Sequence, residues 1–324
     1  MKIQEFRELI KAADRELLEK AFAESYKKFT KGQKEEVDLI IQGVLAGEDA
    51  RSVAKKDTIS FEKLEQEIPV FLENAYAQNY FAPNRVIPKN QRPKWRFLVK
   101  NYIKALEKIP AEDENCDKSA RLLSDLYRML CTACNYYLFS TDDAFRSVGW
   151  EQPELFRLVV KKWFCNGYSR EKIAILLNDA VSGGLSREAL QIYQLNVLLD
   201  ELKTSDVKYM AIEEAGKLID ERKEKLGGLK KYDSTYQLDD EINCLCEMVL
   251  MTAIELAEPA SGIEFFFQNS RHRNEEITLF CALQVVEWME ADELWTTVYE
   301  YGIGKKIEPR DSLVRKYQEM KHMK

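Results

Sequence analysis

The sequence predicts an all-α fold of stacked antiparallel helical hairpins, partly α-solenoid and repeat-like. Three observations carry that expectation. Helix breakers are scarce, with 13 glycines and 8 prolines in 324 residues, where glycine alone is usually ~7% of a chain. Apolar residues recur with the helical period, and no strand-type alternation is sustained. A helix junction also occurs twice: Gly167-Tyr168-Ser169-Arg170-Glu171-Lys172-Ile173 and Gly184-Leu185-Ser186-Arg187-Glu188-Ala189-Leu190, a step of 17 residues. In each copy glycine would end one helix, serine would cap the next, and glutamate would sit in its positive first turn. Two such steps have the size of a repeat-protein hairpin, although the same signals also punctuate unrelated helices.

Phe6, Leu9, Ile10 and Ala13 share one face of a first helix. Asp14 is placed to cap a second, whose stripe is Leu17, Leu18, Ala21, Phe22 and Tyr26. A third is expected over 34–46 and a connection over 47–58. A further helix is expected over 60–80, with Pro69 kinking or splitting it. Pro83, Pro88 and Pro93 then hold the chain extended until a helix restarts near Pro93. Its core stripe is Trp95, Leu98, Val99, Tyr102, Ile103 and Leu106.

The polar stretch 110–118 reads as a loop and a domain boundary, giving an N-terminal helical domain (1–110) and a C-terminal helical-repeat domain (119–324). Beyond it a long helix is expected over 119–139, with Leu122, Leu126, Met129, Leu130, Ala133 and Tyr137 in its stripe. Later helices are expected near 206–226, 238–257, 263–268, 274–289, 292–301 and 310–320.

Charge is distributed unevenly. The chain holds 48 bases and 55 acids, a net charge of −7, which argues against a whole-surface nucleic-acid binder. Yet the stretch 74–106 carries Arg85, Lys89, Arg92, Lys94, Arg96, Lys100 and Lys104 and no acid. These seven are the candidate binding residues. From 232 to 270 the balance reverses, with eight acids (Asp233, Asp239, Asp240, Glu241, Glu247, Glu255, Glu258, Glu264) and no base. Three roles fit the basic stretch. In order, they are docking on that acidic region within or between molecules, binding a protein partner, and binding nucleic acid through phosphate contacts and interleaved aromatics. Trp95 and Tyr102 lie in the core stripe, which weakens the third.

Other chemistries find little support. Cys131-x-x-Cys134 falls within a helix, with no second pair and no nearby histidine for tetrahedral zinc. Cys244 and Cys246 point apart on a helix. His272 and His322 are the only histidines, so histidine-based catalysis is not expected. His272, in Arg271-His272-Arg273, reads as part of a solvated turn. The pairs Asp142-Asp143 and Glu275-Glu276 and the run Asp239-Asp240-Glu241 sit at helix starts, where acids complement the dipole. Gly302-Ile303-Gly304-Lys305-Lys306 follows a helix and lacks phosphate-loop spacing. No catalytic residue, metal ligand or cofactor is assigned. Seven cysteines without framework spacing, no apolar leader after Met1-Lys2-Ile3-Gln4-Glu5, and no long apolar run predict a cytoplasmic protein with reduced thiols and no membrane span.

Phe81-Ala82-Pro83-Asn84-Arg85, followed by Arg96-Phe97-Leu98-Val99-Lys100-Asn101-Tyr102-Ile103-Lys104-Ala105-Leu106, resembles an uncharacterised family of small bacterial all-helical proteins. In that family a similar aromatic-x-Pro-x-Arg turn precedes a basic helix. Tyr137-Leu138-Phe139-Ser140 with Asp142, Asp143 and Phe145 continues the likeness, which covers about residues 1–200. It implies a bacterial helical protein and no particular activity. The function expected is therefore that of a non-enzymatic interaction or scaffold protein binding a protein or peptide, with nucleic-acid binding as the alternative.

Overall fold

The computed structural model describes residues 3–30, 34, 37–38, 41–42, 44–47, 60–84 and 86–322. Fifteen α-helices and one 3-10 turn are resolved among them, with no strand. The chain forms two compact units, Met1–Ser60 and Phe61–Lys324.

In the first unit, α1 (Ile3–Ala12) and α2 (Arg15–Lys28) meet at Asp14, whose carboxylate accepts from Leu17 N at 2.9 Å. This is the cap expected there. Within the expected third helix the described residues 34, 37–38, 41–42 and 44–45 are helical. The Tyr26 hydroxyl donates to Asp38 at 2.5 Å and ties it to α2. Most of the connection expected over 47–58 lies outside the described residues.

The second unit begins with α3 (Phe61–Tyr76), which runs unbroken through Pro69. A 3-10 turn over Arg92–Lys94 leads into α4 (Trp95–Glu107). Both helices pack on α5 (Cys116–Asn135). Lys118 pairs with Glu65 of α3 at 3.0 Å. Residues 110–115 form the loop between α4 and α5 inside this unit, and 116–118 already belong to α5, on which α3 and α4 pack. That helix is buried on more than one face, through Leu123, Leu126, Tyr127, Leu130 and Cys131. It ends at Asn135, so Tyr137 is an exposed loop residue rather than part of its stripe.

Next come α6 (Ala144–Val148), α7 (Gln152–Phe164), α8 (Arg170–Val181), α9 (Gln191–Glu201) and α10 (Ser205–Gly227). They are followed by α11 (Tyr236–Glu255), α12 (Pro259–Asn269), α13 (Glu275–Trp288), α14 (Asp292–Gly304) and α15 (Asp311–His322). Successive helices mostly pack against their neighbours in sequence, and α11 sits among α8, α9, α10, α12 and α13. Its Ile242, Leu245, Cys246, Met248, Val249, Leu250 and Met251 are buried all round, as a central helix requires. Gly262 lets α12 approach it, since a Cβ there would lie 2.6 Å from Cβ of Ala253.

The repeated junction is used in two different ways. Ser169 caps α8, accepting from Lys172 N at 3.2 Å after Gly167 turns with φ 88°. Ser186 starts no helix, and α9 begins only at Gln191. The second copy instead forms a non-helical turn, with Ala189 N donating to the Ser186 carbonyl at 3.0 Å, and Gly184 N donates to the Cys131 carbonyl of α5 at 3.2 Å. A Cβ on Gly184 would lie 2.6 Å from the Cys131 carbonyl oxygen, so close approach explains this glycine.

All seven cysteines are free thiols. Among the described residues there is no group of three or more histidine, cysteine and acidic side chains placed to hold a metal, and no helix long and apolar enough to cross a membrane. His272 differs from the expected solvated turn. Its ring lies 6.2 Å from that of Phe266, its Nε2 is buried without a partner, and burial lowers its pKa.

Candidate functional site

An aromatic cluster holds the basic segment in place. The Trp95 indole stacks on Phe139 with ring centroids 3.8 Å apart and planes 9° apart. Phe71 of α3 lies 5.9 Å from Tyr102 and 6.4 Å from Phe139, and Tyr80 lies 5.8 Å from Phe139. Trp95 and Tyr102 are thus core residues, as their positions in the stripe require. Each such ring pair contributes about 1 kcal/mol beyond its buried area. Together they fix the start of α4 against the loop 136–143.

That packing sorts the candidate bases. Arg85 lies outside the described residues. Lys89, Arg92 and Arg96 line one side of a pocket of about 440 Å³. Ser140, Thr141 and Ser147 line the other side, with Tyr80 and Trp95 also contributing. Arg92 is half-buried, and its Nε donates to the Ile87 carbonyl at 2.8 Å. The Arg96 guanidinium lies 5.1 Å from the centre of the Phe97 ring, which is 57% exposed. Lys94 and Lys104 are exposed away from the pocket. The Lys100 ammonium lies beside Gly149, the left-handed terminator of α6, where a cation complements the helix carboxyl end.

None of Lys89, Arg92, Lys94, Arg96, Lys100 and Lys104 forms an ion pair among the described residues, although such pairs are common elsewhere in the chain. The first turn of α4 carries no acid and no side-chain cap. Asp142, the acid on the pocket wall, pairs with Arg187 at 3.1 Å. Among the described residues, no ion pair joins the basic segment to the acidic 232–270 region, so the expected docking within one molecule is not seen there. Four of those eight acids are satisfied locally: Asp239 by Arg271 at 2.6 Å, Glu241 by Arg222 at 2.8 Å, Glu255 by Lys208, and Glu258 by the Tyr209 hydroxyl at 2.5 Å.

The hydroxyl wall was not anticipated from the sequence. The Thr141 and Ser147 hydroxyls lie 2.7 Å apart, and both donate to the Asp143 carbonyl. Asp143 caps α6 through Arg146 N at 3.1 Å and reaches across to the second junction, accepting from Ser186 Oγ at 2.6 Å and Arg187 N at 3.1 Å. Burial alone would raise its carboxyl pKa, but the Ser186 hydroxyl and these backbone donors outweigh it and hold the pKa below the usual value. The run Ser140-Thr141-Asp142-Asp143 carried only the signal of a helix start. Its position opposite Arg92 and Arg96 depends on the Trp95–Phe139 stack.

Phe81 and Tyr137 stack at 5.6 Å, and Tyr137 is 69% exposed. The groups around the pocket include three cations and the exposed Ser140 hydroxyl, a set suited to holding an anion. No protein-family model, curated protein or solved structure matches this chain.

Proposed function

We propose that this chain is a helical interaction protein that docks an acidic segment of a protein partner on the face formed by Lys89, Arg92, Lys94, Arg96, Lys100 and Lys104. The observation that carries this reading is that these six bases lack an acidic partner among the described residues, in a chain of net charge −7. An exposed cluster of one sign steers an oppositely charged partner and sets binding register. Because many acids of 232–270 are engaged within the chain, a foreign partner is favoured over a second copy. The free thiols and the absence of a spanning helix among the described residues support a cytoplasmic setting.

A second reading, single-stranded nucleic acid, is favoured by one observation: the exposed Phe97 ring lies beside Arg96, 5.1 Å from its guanidinium, as in stacking platforms. Fluorescence anisotropy with a labelled glutamate-rich peptide and with a labelled oligonucleotide separates the two. The proposal expects the peptide to bind, weakening as salt rises and by tenfold or more in Arg96→Glu/Lys100→Glu/Lys104→Glu. Oligonucleotide binding without peptide binding would replace it with the second reading.

A further inference from the structure

We infer that the pocket between Lys89, Arg92 and Arg96 on one side and Ser140, Thr141 and Ser147 on the other receives the phosphate of a phosphorylated serine or threonine in the partner's acidic segment. This rests on the protein-partner reading above and names the chemistry of the anchor.

Three cations line a single bounded cavity, and none has an acidic counterpart among the described residues. Nε of Arg92 is committed to the Ile87 carbonyl, whereas no hydrogen bond is made by its two terminal nitrogens among the described residues. The guanidinium is therefore held with its outer fork free, the arrangement that grips two oxygens of one phosphate. A phosphoryl group carries about −1.5 to −2 charges at pH 7 and three acceptor oxygens. Three cations and the Ser140 hydroxyl match that better than they match a single carboxylate. The start of α4, with neither an acid nor a side-chain cap, adds positive potential at the same place. The cavity, about 440 Å³, has room for the phosphorylated side chain and part of its backbone.

A phosphopeptide is favoured over nucleic acid on two grounds. Lys89, Arg92 and Arg96 line one cavity of about 440 Å³, whereas a nucleic-acid backbone needs a track of phosphate contacts. The chain is acidic overall, which disfavours an extended polyanion but not a short segment confined to the basic face.

The test is calorimetric titration of the full chain with a ten-residue glutamate-flanked peptide carrying one phosphoserine, the same peptide with serine, and a single-stranded oligonucleotide. The phosphorylated peptide is expected to bind at least tenfold tighter than the serine form. Arg96→Gln and Lys89→Gln should each remove most of that difference, whereas Lys104→Gln should lower both affinities and leave the ratio intact. Lys89 is exposed and makes no hydrogen bond or ion pair among the described residues, so Lys89→Gln tests the pocket without disturbing the fold. Equal binding of both peptides would overturn the phosphate pocket while leaving the basic docking face standing. Binding of the oligonucleotide alone would overturn both.

Discussion

The Ser186 hydroxyl donates to the Asp143 carboxylate at 2.6 Å, joining residues 43 positions apart. The same carboxylate accepts from the backbone N–H of Arg187 and, through its other oxygen, from that of Arg146. Gln152 adds a second clamp, accepting from Ser186 N at 2.8 Å and donating to the Gly184 carbonyl at 3.2 Å. These partners take the groups that a helix starting at Ser186 would have used for its own cap. The second copy of the junction therefore stays non-helical, while Ser169 caps α8.

Replacing Asp143 should hurt more than replacing either serine. Asp143→Ala removes the α6 cap and leaves the donors of Ser186 and Arg187 unpaired beside a buried site, costing about 3 kcal/mol. Ser186→Ala and Ser169→Ala should each cost about 1 kcal/mol. Urea unfolding of the three variants gives the order directly. The folded-state pKa of Asp143 is lowered, so its contribution is full above the unfolded pKa, about 3.9, and is lost as pH falls through the folded value. Asp143→Asn should flatten the acid limb of the stability curve below about pH 4.

Arg222 and Glu241 form a buried pair between α10 and α11. Nε meets Oε2 at 2.8 Å, and the residues are 3% and 8% exposed. Arg222 also donates to Asn178 of α8 at 2.9 Å. Arg222→Met strands a carboxylate in the core and should cost about 3–5 kcal/mol. Arg222→Met combined with Glu241→Met should recover most of that loss, because no buried charge then remains uncompensated. Thermal unfolding of the single and double variants measures the recovery. A double variant no more stable than the single would place the cost in lost packing.

Glu247 faces the opposite situation. Burial, and secondarily the charge of Asp240, pushes its carboxyl pKa up to about 7. Below about pH 4.3 the group is protonated in both folded and unfolded states and contributes no pH dependence. Between that pH and about 7 the unfolded chain ionises first, so stability falls as pH rises. Above about pH 7 both states are ionised and the full penalty applies. With some discount for water access, that penalty is roughly 2 kcal/mol. Glu247→Gln should therefore leave stability at pH 4 nearly unchanged and raise it at pH 8. Denaturant midpoints at the two pH values check this, and an equal shift at both would rule out titration as the cause.

The sequence by itself determined the helical class and the positions of many helices. Apolar period, proline placement and cap residues act within a few positions of one another. The stripe of α4 was legible because Trp95, Val99, Tyr102, Ile103 and Leu106 repeat with the helix, and Asp14, Ser169 and Asn274 cap the helices that follow them. Tertiary structure alone decided which charges meet. The acids of 232–270 find Arg222, Arg271 and Lys208 on neighbouring elements, so a complementary count of charges along the chain does not predict a contact. It also decided that Lys89, Arg92 and Arg96 share a pocket while Lys94 and Lys104 do not. That convergence depends on Trp95 stacking against Phe139, 44 positions away, which brings the loop 140–147 opposite the start of α4. Local pattern specifies which faces are apolar or basic, but only packing between distant segments fixes what each face confronts.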